Sequence, residues 1–376
     1  RGMDTEHKIY ALGQAAKFDV CQVTDRPTDA TPSDSLASCV FRAVRSGGGC
    51  TPLLKVLQSN VCERDCAYCA NRSGRDTRRT TLSPEELART FDDMARRRLV
   101  EGLFLSSGMC GQADEAMSRM LATVELVRKR YQFRGYVHLK ILPGADPAAI
   151  AAALSLADRV SVNLEAPTPQ RLQALSHTKD YGRELWTSLE TAQRMRHEQG
   201  RRVSMTTQFV VGAAGEEDRE LLATAGRLYR GLGLARVYYS AFRPISDTPL
   251  EGHAPAPLWR QNRLYQADML LNLYGFRPDE LVYDGAGMLS RDDDPKVAWA
   301  QAHPERFPVE VNRASREDLL RVPGIGPTSA ERLVRWRREG SLTDLAQVRK
   351  AGAVANRAAP YLLLNGRRPQ HQLALW

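Results

Sequence analysis

Between Thr51 and Pro244 the chain alternates short apolar runs with longer amphipathic stretches, and this alternation restricts the fold more than any other feature. Six runs have the length and residue content of strands: residues 53–57, 101–107, 136–142, 159–165, 204–212 and 236–242. Helical patterns lie between them, as at residues 83–99 and 216–233. Strands that alternate with helices form parallel βα units. The sequence therefore predicts an α/β fold with a partial (β/α)6 TIM-like barrel, whose working residues lie at the carboxyl ends of the strands.

Three of the seven cysteines lie within eight positions, directly after the first predicted strand, at Cys62, Cys66 and Cys69. Three thiolates from one loop can bind three irons of a [4Fe–4S] cluster and leave the fourth iron without a protein ligand. A structural zinc site would need a fourth ligand, usually from a second cysteine or histidine pair, and the sequence has no such pair. Three buried cysteines without function are the remaining alternative, but the residues between Cys62 and Cys66 are polar. The spacing favours iron–sulfur chemistry.

The net charge of +9 is concentrated towards the end of the chain. Residues 305–368 contain 13 basic and 7 acidic side chains, a local charge of +6. Such a segment is typical of a protein that binds phosphates. The odd number of cysteines and the lack of a visible secretory signal favour a reducing cytoplasm. No apolar run is long enough for a membrane span, so no membrane partner is expected.

The basic segment contains two short helical patterns joined by a glycine-rich turn. The helical patterns cover residues 315–321 and 327–339, and the turn PGIG lies between them at 323–326. Two glycines ahead of a helix leave backbone N–H groups free to bind a phosphate, and the helix dipole adds to the attraction. A second, degenerate copy follows around Gly352, and a structural role is expected for it.

The cysteine motif C-x3-C-x-aromatic-C, with Tyr68 as the aromatic residue, resembles the radical S-adenosylmethionine (SAM) superfamily. In that family the open iron binds the amino and carboxylate groups of SAM. One electron from the cluster then gives a 5′-deoxyadenosyl radical, which takes a hydrogen atom from the substrate. The resemblance implies a [4Fe–4S] cluster and SAM as cofactors, and a reductant protein such as a flavodoxin or ferredoxin as a partner.

The same resemblance implies further SAM contacts, strand by strand. Ser106, Ser107 and Gly108 replace the family's Gly-Gly-Glu, so that only the backbone contact to the SAM amino group carries over. The resemblance also implies that the ribose hydroxyls of SAM bind Asn163 and Glu165, and that its carboxylate binds Arg183. The glycine-rich segment, with Val210, Gly212 and Glu216, would pack against adenine, and the adenine edge would contact Tyr239 and Phe242.

Four residues are weaker candidates for roles in catalysis. Cys110, after the second predicted strand, and Cys50, just ahead of the first, are candidates for a hydrogen-atom donor that closes the radical cycle. The expected alternative is that both, like Cys21 and Cys39, are buried and inert. On the third predicted strand, His138 and Lys140 alternate and can face the substrate, or pair with a carboxylate of the barrel.

The glycine-rich turn and its flanking helices resemble the helix-hairpin-helix motif, which binds the DNA backbone without reading bases. The resemblance implies phosphate contacts from Gly324, Gly326 and Thr328, with counter-charges from Arg332, Arg335, Arg337 and Arg338. The last residues resemble the peptide by which bacterial repair and replication proteins bind the sliding clamp, through Gln372, Leu373, Leu375 and Trp376. An apolar tail folded on its own domain is the alternative.

These features predict a barrel followed by a small all-α DNA-binding domain. The predicted boundaries are an N-terminal extension at 1–50, the radical SAM partial barrel at 51–245, a helical or loop connection packed on the barrel at 246–307, a tandem helix-hairpin-helix domain at 308–366 and a tail at 367–376.

The whole arrangement resembles the radical SAM branch that is assigned to DNA modification or repair. The predicted function is hydrogen abstraction from a nucleotide in DNA, with the base flipped out of the duplex into the barrel. One alternative is a radical SAM enzyme that modifies RNA. Another, of a different class, is a DNA-binding iron–sulfur redox sensor, which would not cleave SAM.

Overall fold

The computed structural model describes residues 4–16, 36–44, 49–200 and 202–370 and divides the chain into two compact units. The first unit is Arg1–Glu216 with Arg227–Gln261, and the second is Glu217–Gly226 with Asn262–Trp376. The stretch 246–307, predicted to pack on the barrel as a whole, is therefore divided between the two units. In the described part of the chain, no helix has the length and apolar character needed to cross a membrane.

The first unit contains a seven-stranded sheet whose strands follow the order of the chain. They are β1 Val40–Val44, β2 Cys50–Leu57, β3 Gly102–Ser106, β4 Tyr136–Lys140, β5 Arg159–Ser161, β6 Ser204–Val211 and β7 Arg236–Ala241. Strands β2 to β7 are parallel, whereas β1 is antiparallel to β2. The sheet curls into a half-barrel, which confirms the predicted fold class. The six predicted strands are present, and β1 is an addition that the sequence did not predict.

One helix precedes the sheet, and the others follow the parallel strands, as the alternation predicts. They are α1 Thr5–Ala16, α2 Pro84–Arg96, α3 Ala113–Glu125, α4 Pro147–Leu156, α5 Pro169–Gln173, α6 Thr187–Glu198, α7 Asp218–Leu232 and α8 Leu258–Leu273. Helix α2 begins where the helical pattern at residues 83–99 starts, with a cap in which the Ser83 side chain accepts from the Glu86 N–H and the Glu86 side chain accepts from the Ser83 N–H. This reciprocal capping satisfies two backbone donors that the helix cannot pair.

The two faces of the sheet differ in chemistry because side chains alternate along each strand. One face carries the fully buried side chains of Leu54, Leu103, Leu105, Val137 and Leu139. The opposite face carries buried polar side chains, among them Lys55, His138, Ser161, Thr206 and Gln208. Amphipathic helices such as α2 need an apolar surface to cover. The polar face therefore lines the interior of the half-barrel.

The second unit is a small helical domain with its own core. After the end of α8 it contains α9 Pro295–Ala302, β8 Val309–Glu310, α10 Arg316–Arg321, α11 Pro327–Trp336, α12 Leu345–Lys350, α13 Ala355–Ala358 and β9 Leu362–Leu363. Strands β8 and β9 pair in parallel. Apolar side chains from α10, α11 and α12, such as Leu319, Leu333 and Val348, are fully buried in this core. The two predicted helices of the first hairpin are thus present and packed together.

Candidate active site and nucleic-acid interface

The loop that carries the three cysteines leaves β2 and returns to the same place before α2. At its neck the Leu82 N–H donates to the Gln58 carbonyl at 2.9 Å, and the Gln58 side-chain amide donates to the Leu82 carbonyl at 2.7 Å. The Ser59 and Thr81 hydroxyls lie 2.7 Å apart in the next layer. These contacts close the loop at the carboxyl end of the first parallel strand, where the barrel fold locates working residues.

A single arginine organises the interior of this loop. The Arg79 guanidinium donates to four main-chain carbonyls at 2.6–3.2 Å, those of Asn60, Asn71, Arg72 and Arg75. The rigid fork of five N–H donors makes arginine suited to such multiple contacts. The conformation of the cysteine loop is therefore set by protein contacts.

The three thiols lie close enough to affect one another electrostatically. Cys66 is buried, and Cys62 and Cys69 are half-buried. Burial raises the pKa of Cys69 to about 12, and charges on Cys66 and Cys62 add to this effect. Thiolates crowded in this way need nearby positive charge, which iron ions would supply.

The donor set fits a cluster better than a single ion. Among the described residues, no group of three or more histidine, cysteine or acidic side chains is arranged to hold one metal ion. In a [4Fe–4S] cube each cysteine binds a different iron, so the three thiols need not converge on one point. Cys62, Cys66 and Cys69 are the residues that would hold the cluster.

A buried lysine next to the cysteines was not found from the sequence. The Lys179 ammonium donates to Glu165 Oε1 at 3.2 Å and to the Tyr68 hydroxyl at 3.3 Å. Burial alone would lower the pKa of Lys179, but the neighbouring Cys66 thiolate and the Glu165 carboxylate raise it above the usual value. Lys179 thus provides a permanent positive charge beside the thiols.

The segment around Lys179 is attached to the cysteine loop by a second set of contacts. The Asp65 carboxylate accepts from the Ser176 hydroxyl at 2.5 Å, the Thr178 hydroxyl at 2.7 Å and the His177 N–H at 3.0 Å. Burial acts to raise the pKa of Asp65, but these hydrogen bonds hold it below its usual range. Asp65 therefore joins this segment to the cysteine loop through several hydrogen bonds.

A polar cavity of about 450 Å³ lies along this segment. Its lining consists of Gln173, Ser176, His177, Thr178, Lys179, Asp180, Arg183 and Glu184. Arg183, predicted to bind the SAM carboxylate, lies here, but 91% of its side chain is exposed and its Nε donates to Asp180 at 3.1 Å. Lys179 is the basic side chain that the structure brings into contact with Tyr68.

The predicted contacts at the end of β3 lie directly against the cysteine loop. The Gly108 N–H donates to the Ser59 carbonyl at 2.7 Å, and a Cβ at Gly108 would collide with the Val61 carbonyl. Glycine is thus required here by the close approach of two backbones. The Ser106 carbonyl accepts from the Gln58 N–H at 2.8 Å. Ser107, between them, completes the turn that the sequence predicted to meet SAM.

The predicted ribose-binding pair lies just past β5 and not within it. Strand β5 ends at Ser161, which is shorter than the predicted run to Glu165. Asn163 and Glu165 are both buried, and Glu165 has a left-handed backbone conformation with φ of +63°. The Glu165 carboxylate is already paired with Lys179. A ribose contact by Glu165 would therefore have to share this ion pair.

The glycine-rich segment after β6 forms a closed turn. The Glu216 carboxylate accepts from the N–H groups of Gly212 at 2.5 Å and Ala214 at 3.1 Å, and pairs with Arg260 at 3.3 Å. Gly212 has φ of +89°, and a Cβ there would lie 2.7 Å from the Ala256 Cβ. The turn is fixed by its own residues, which leaves Val210 and Gly212 as a rigid edge of the site.

Tyr239 and Phe242, which were predicted to contact adenine, already make contacts within the protein. The Phe242 N–H donates to the Val211 carbonyl at 2.8 Å, and its carbonyl accepts from the Ala256 N–H at 2.9 Å. The Tyr239 ring is 1% exposed and packs against Phe209 at 6.1 Å. Its side chain belongs to the apolar face of the sheet, so Tyr239 can act on a ligand only through its backbone.

The structure separates the two cysteines that were considered as hydrogen-atom donors. Cys50 is the exposed first residue of β2, at the amino end of a strand whose carboxyl end carries the cysteine loop. The seven steps from Cys50 to Leu57 span about 23 Å, so a role for Cys50 beside the cluster is wrong. Cys110 is half-buried, and its thiol donates to Glu63 Oε1 at 3.5 Å, inside the cysteine loop.

His138 and Lys140 lie on the polar face of β4, as predicted. The His138 Nε2 lies 2.9 Å from the Ser161 hydroxyl, and its ring stacks on Phe104 at 4.1 Å. The nearby Thr206 hydroxyl is buried and has no hydrogen-bond partner within the described residues. Buried polar atoms without partners are rare and mark places where water or a ligand binds.

In the first hairpin of the second unit, several backbone N–H groups have no hydrogen-bond acceptor among the described residues. Gly324 has φ of +85°, Gly326 is the N-cap of α11, and Thr328 is exposed in its first turn. Counting acceptors in the described part of the chain, the N–H groups of these three residues make no hydrogen bond. They are therefore available to an anion at the start of α11.

The arginines in α11 and directly after it have different roles. Arg335 and Arg338 are exposed, and Arg332 is exposed with its Nη1 donating to the Ala351 carbonyl at 3.3 Å. Arg337 instead donates to the carbonyls of Val311 and Ala314 at 3.0 and 2.6 Å. The inclusion of Arg337 among the DNA counter-charges is therefore wrong, because its guanidinium stabilises the domain.

The second, degenerate hairpin packs against the first. The Val354 N–H donates to the Gly324 carbonyl at 2.9 Å, and Gly352 repeats the left-handed conformation of Gly324 with φ of +95°. These contacts are consistent with the structural role expected for this copy. The predicted clamp-binding residues Gln372, Leu373, Leu375 and Trp376, and also Cys21, lie outside the described residues.

Comparison with known families supports the two resemblances found in the sequence, one for the cysteine-containing barrel and one for the hairpin near the end of the chain. Residues 56–228 match the radical SAM superfamily, and residues 306–358 match the helix-hairpin-helix motif. The match over residues 56–228 supports the predicted [4Fe–4S] cluster and SAM as the cofactors. No curated protein matches the chain.

Several solved structures align with part of the chain at low sequence identity. They include the FeFe-hydrogenase maturase HydG from Carboxydothermus hydrogenoformans, with 15% identity, a TM-score of 0.48 and coverage of 57% of this chain and 50% of that one. Methylornithine synthase (PylB) has 15% identity, a TM-score of 0.46 and coverage of 72% and 76%. The methyltransferase TsrM from Kitasatospora setae has 15% identity, a TM-score of 0.41 and coverage of 52% and 38%. The chain spans about half the length of HydG.

Proposed function

We propose that the protein is a radical SAM enzyme that acts on a nucleotide in DNA, in repair or in modification of the base or sugar. The observation that carries the proposal is the hairpin before α11, where the N–H groups of Gly324, Gly326 and Thr328 have no acceptor among the described residues. The exposed Arg335 lies in the last turn of the same helix, and the exposed Arg338 lies just beyond it. Backbone donors and arginines of this kind suit phosphates, and they bind without regard to sequence.

The residues of the first unit support a cofactor site at the carboxyl edge of the sheet. When bound, the cluster and SAM supply a 5′-deoxyadenosyl radical that can abstract a hydrogen atom from the substrate. The protein's part is to hold the three thiols on a fixed loop, with Lys179 as a neighbouring positive charge. Gly108 and the turn at Gly212 bound the space beside them.

The polar interior face of the half-barrel supports a phosphate-bearing substrate. None of the described strands of the sheet contains an acidic residue, whereas Lys55, Lys140 and Arg159 lie on this face. His138 and the Thr206 hydroxyl offer additional hydrogen-bonding groups there. A nucleotide flipped out of a duplex would place its phosphates and base edges against such groups.

The test is the formation of 5′-deoxyadenosine, measured by mass spectrometry. The protein is reconstituted anaerobically with iron and sulfide and supplied with SAM and a reductant, alone, with duplex DNA or with RNA. Formation that rises sharply with DNA is the expected result, and deuterium transfer would then locate the reacting position. A rise only with RNA would transfer the proposal to RNA, and no product with an intact cluster would favour a redox sensor.

A further inference from the structure

Lys296 is a buried lysine outside the cofactor site. It lies in the first turn of α9 and is 7% exposed, and its Nζ donates to the Ile325 carbonyl at 2.6 Å. The same Nζ lies 4.6 Å from the centre of the Tyr274 ring. Ile325 belongs to the turn between α10 and α11. This lysine therefore contacts the hairpin from the interior of the second unit.

The contact fixes the direction of one peptide group. The Ile325 carbonyl and the Gly326 N–H belong to the same trans peptide, so they point in opposite directions. Because Lys296 holds the carbonyl towards the interior, the Gly326 N–H is directed outwards. A positive charge on the carbonyl side also polarises the peptide and strengthens its N–H as a donor.

Neighbouring groups hold Lys296 in this position. The Asp294 carboxylate caps α9 by accepting from the N–H groups of Lys296 at 3.0 Å and Val297 at 2.9 Å, and it pairs with Arg357 of the second hairpin. The Tyr274 hydroxyl lies 3.3 Å from the place that a Cβ on Gly326 would occupy. Burial lowers the pKa of Lys296 to about 7, against the attraction of Asp294.

We propose, on the basis of the DNA-binding function above, that Lys296 is a positioning residue for the DNA backbone. It orients the Ile325–Gly326 peptide so that the Gly326 N–H meets a phosphate, and it places a positive charge behind that peptide. Because Lys296 is buried, it acts through the hairpin and does not replace a counter-ion of the DNA. Its loss should weaken binding without changing the number of phosphates contacted.

The first experiment measures the affinity of the full chain for a labelled duplex by fluorescence anisotropy at several salt concentrations. Lys296→Met keeps the length and removes the donor, and we expect about tenfold weaker binding, the size of one hydrogen bond to a charged group. The salt dependence should stay as in the wild type. Arg335→Gln, at an exposed position, should reduce the slope of log K against log salt by about one. Lys129→Met, which removes one positive charge at a side chain 73% exposed, is the matched control and should bind as the wild type.

A pH series separates positioning from a general role in folding. Lys296 is charged below its lowered pKa and neutral above it, so wild-type affinity should fall from about pH 6 to about pH 8. The charged or titratable groups that face Lys296 are Asp294, Arg321, Arg357 and Tyr274. Arg357 holds the pKa of Asp294 below its usual range despite burial, and burial raises the pKa of Tyr274, so neither of these two groups titrates between pH 6 and 8. Lys296→Met should give a flat profile, and Lys296→Arg should restore affinity with an equally flat profile.

The outcomes distinguish this inference from the function on which it rests. If Lys296→Met binds as the wild type while Arg335→Gln is weakened, the positioning role is wrong and DNA binding by the hairpin stands. A wild-type chain that shows no salt-dependent binding to duplex DNA would overturn the proposed function and the positioning role with it. If circular dichroism shows that Lys296→Met does not fold, Lys296→Gln, which removes the charge and keeps a side-chain donor, takes its place, and affinity equal to that of the wild type would contradict the proposal.

Discussion

Gly324→Ala should destabilise the contact between the two hairpins and the DNA-binding surface built on it. Gly324 has φ of +85°, and an alanine Cβ would lie 2.6 Å from the Val354 carbonyl oxygen and 3.0 Å from the Arg357 Cβ. The nearest of these atoms belongs to the backbone, so it cannot move aside as a flexible side chain would. The Val354 N–H to Gly324 carbonyl hydrogen bond, at 2.9 Å, would be strained at the same time.

Two costs add up at this position. A non-glycine residue in the left-handed region costs about 1–2 kcal/mol, and the overpacked contact costs about 1–3 kcal/mol, so the sum is about 2–5 kcal/mol. Gly366→Ala is the matched control for the first cost, because Gly366 has φ of +74° and nothing within 4 Å of its would-be Cβ. It should cost about 1–2 kcal/mol. Gly340→Ala has neither a positive φ nor a contact and should be close to neutral.

Hydrogen exchange followed by mass spectrometry gives the opening free energy of peptides from this unit in the full chain. The expected order of destabilisation is Gly324→Ala, then Gly366→Ala, then Gly340→Ala, with weakened DNA binding for the first alone. If Gly324→Ala costs no more than Gly366→Ala, the two hairpins do not pack as described, and the reasoning about the uncommitted N–H groups fails with it.

Other substitutions address the cofactor site and the second unit's acid stability. Cys66→Ala should abolish iron retention and 5′-deoxyadenosine formation while duplex affinity stays unchanged; loss of both would indicate a sensor in which the two functions are coupled. Lys179→Met leaves the buried Glu165 carboxylate unpaired and should lower the free energy of unfolding by about 3–5 kcal/mol, with partial recovery on adding Glu165→Gln. Denaturant titration measures the single and double variants, and effects of the two substitutions that simply add would contradict the ion pair. Burial acts to raise the pKa of Glu310, but hydrogen bonds from the N–H groups of Gly366 and Asn312 lower it. Ionised Glu310 therefore stabilises the folded unit at pH values above the pKa of Glu310 in the unfolded chain, and this stabilisation is lost as pH falls through its pKa in the folded protein. After correction for the slower intrinsic exchange in acid, the protection of the peptide containing Gly366 should fall as pH is lowered, and Glu310→Gln should remove this dependence.

Local patterns predicted the elements whose signals lie close together in the chain. The six parallel strands follow from short apolar runs, and the capped start of α2 follows from Ser83 and Glu86, which are three residues apart. The PGIG turn predicted the first hairpin for the same reason. Strand β1 was missed because five residues with an antiparallel partner carry little periodicity of their own.

Contacts between distant positions could not be predicted in this way. Lys179 meets Tyr68 across 111 residues, and Lys296 meets Ile325 across 29, and neither lysine belongs to a recognisable pattern. Cys50 was misassigned because its closeness to the cysteine loop in sequence hides the length of β2, which separates the two along the strand. Arg337 was misassigned because its charge shows in the sequence and its carbonyl partners do not.

The four carbonyls held by Arg79 have a consequence for how the iron centre is assembled. A loop of this length would lose much conformational freedom if the incoming metal alone had to order it. Here the Arg79 guanidinium and the closed neck order part of the loop through protein contacts, so that binding of the cluster has less of this conformational entropy to offset.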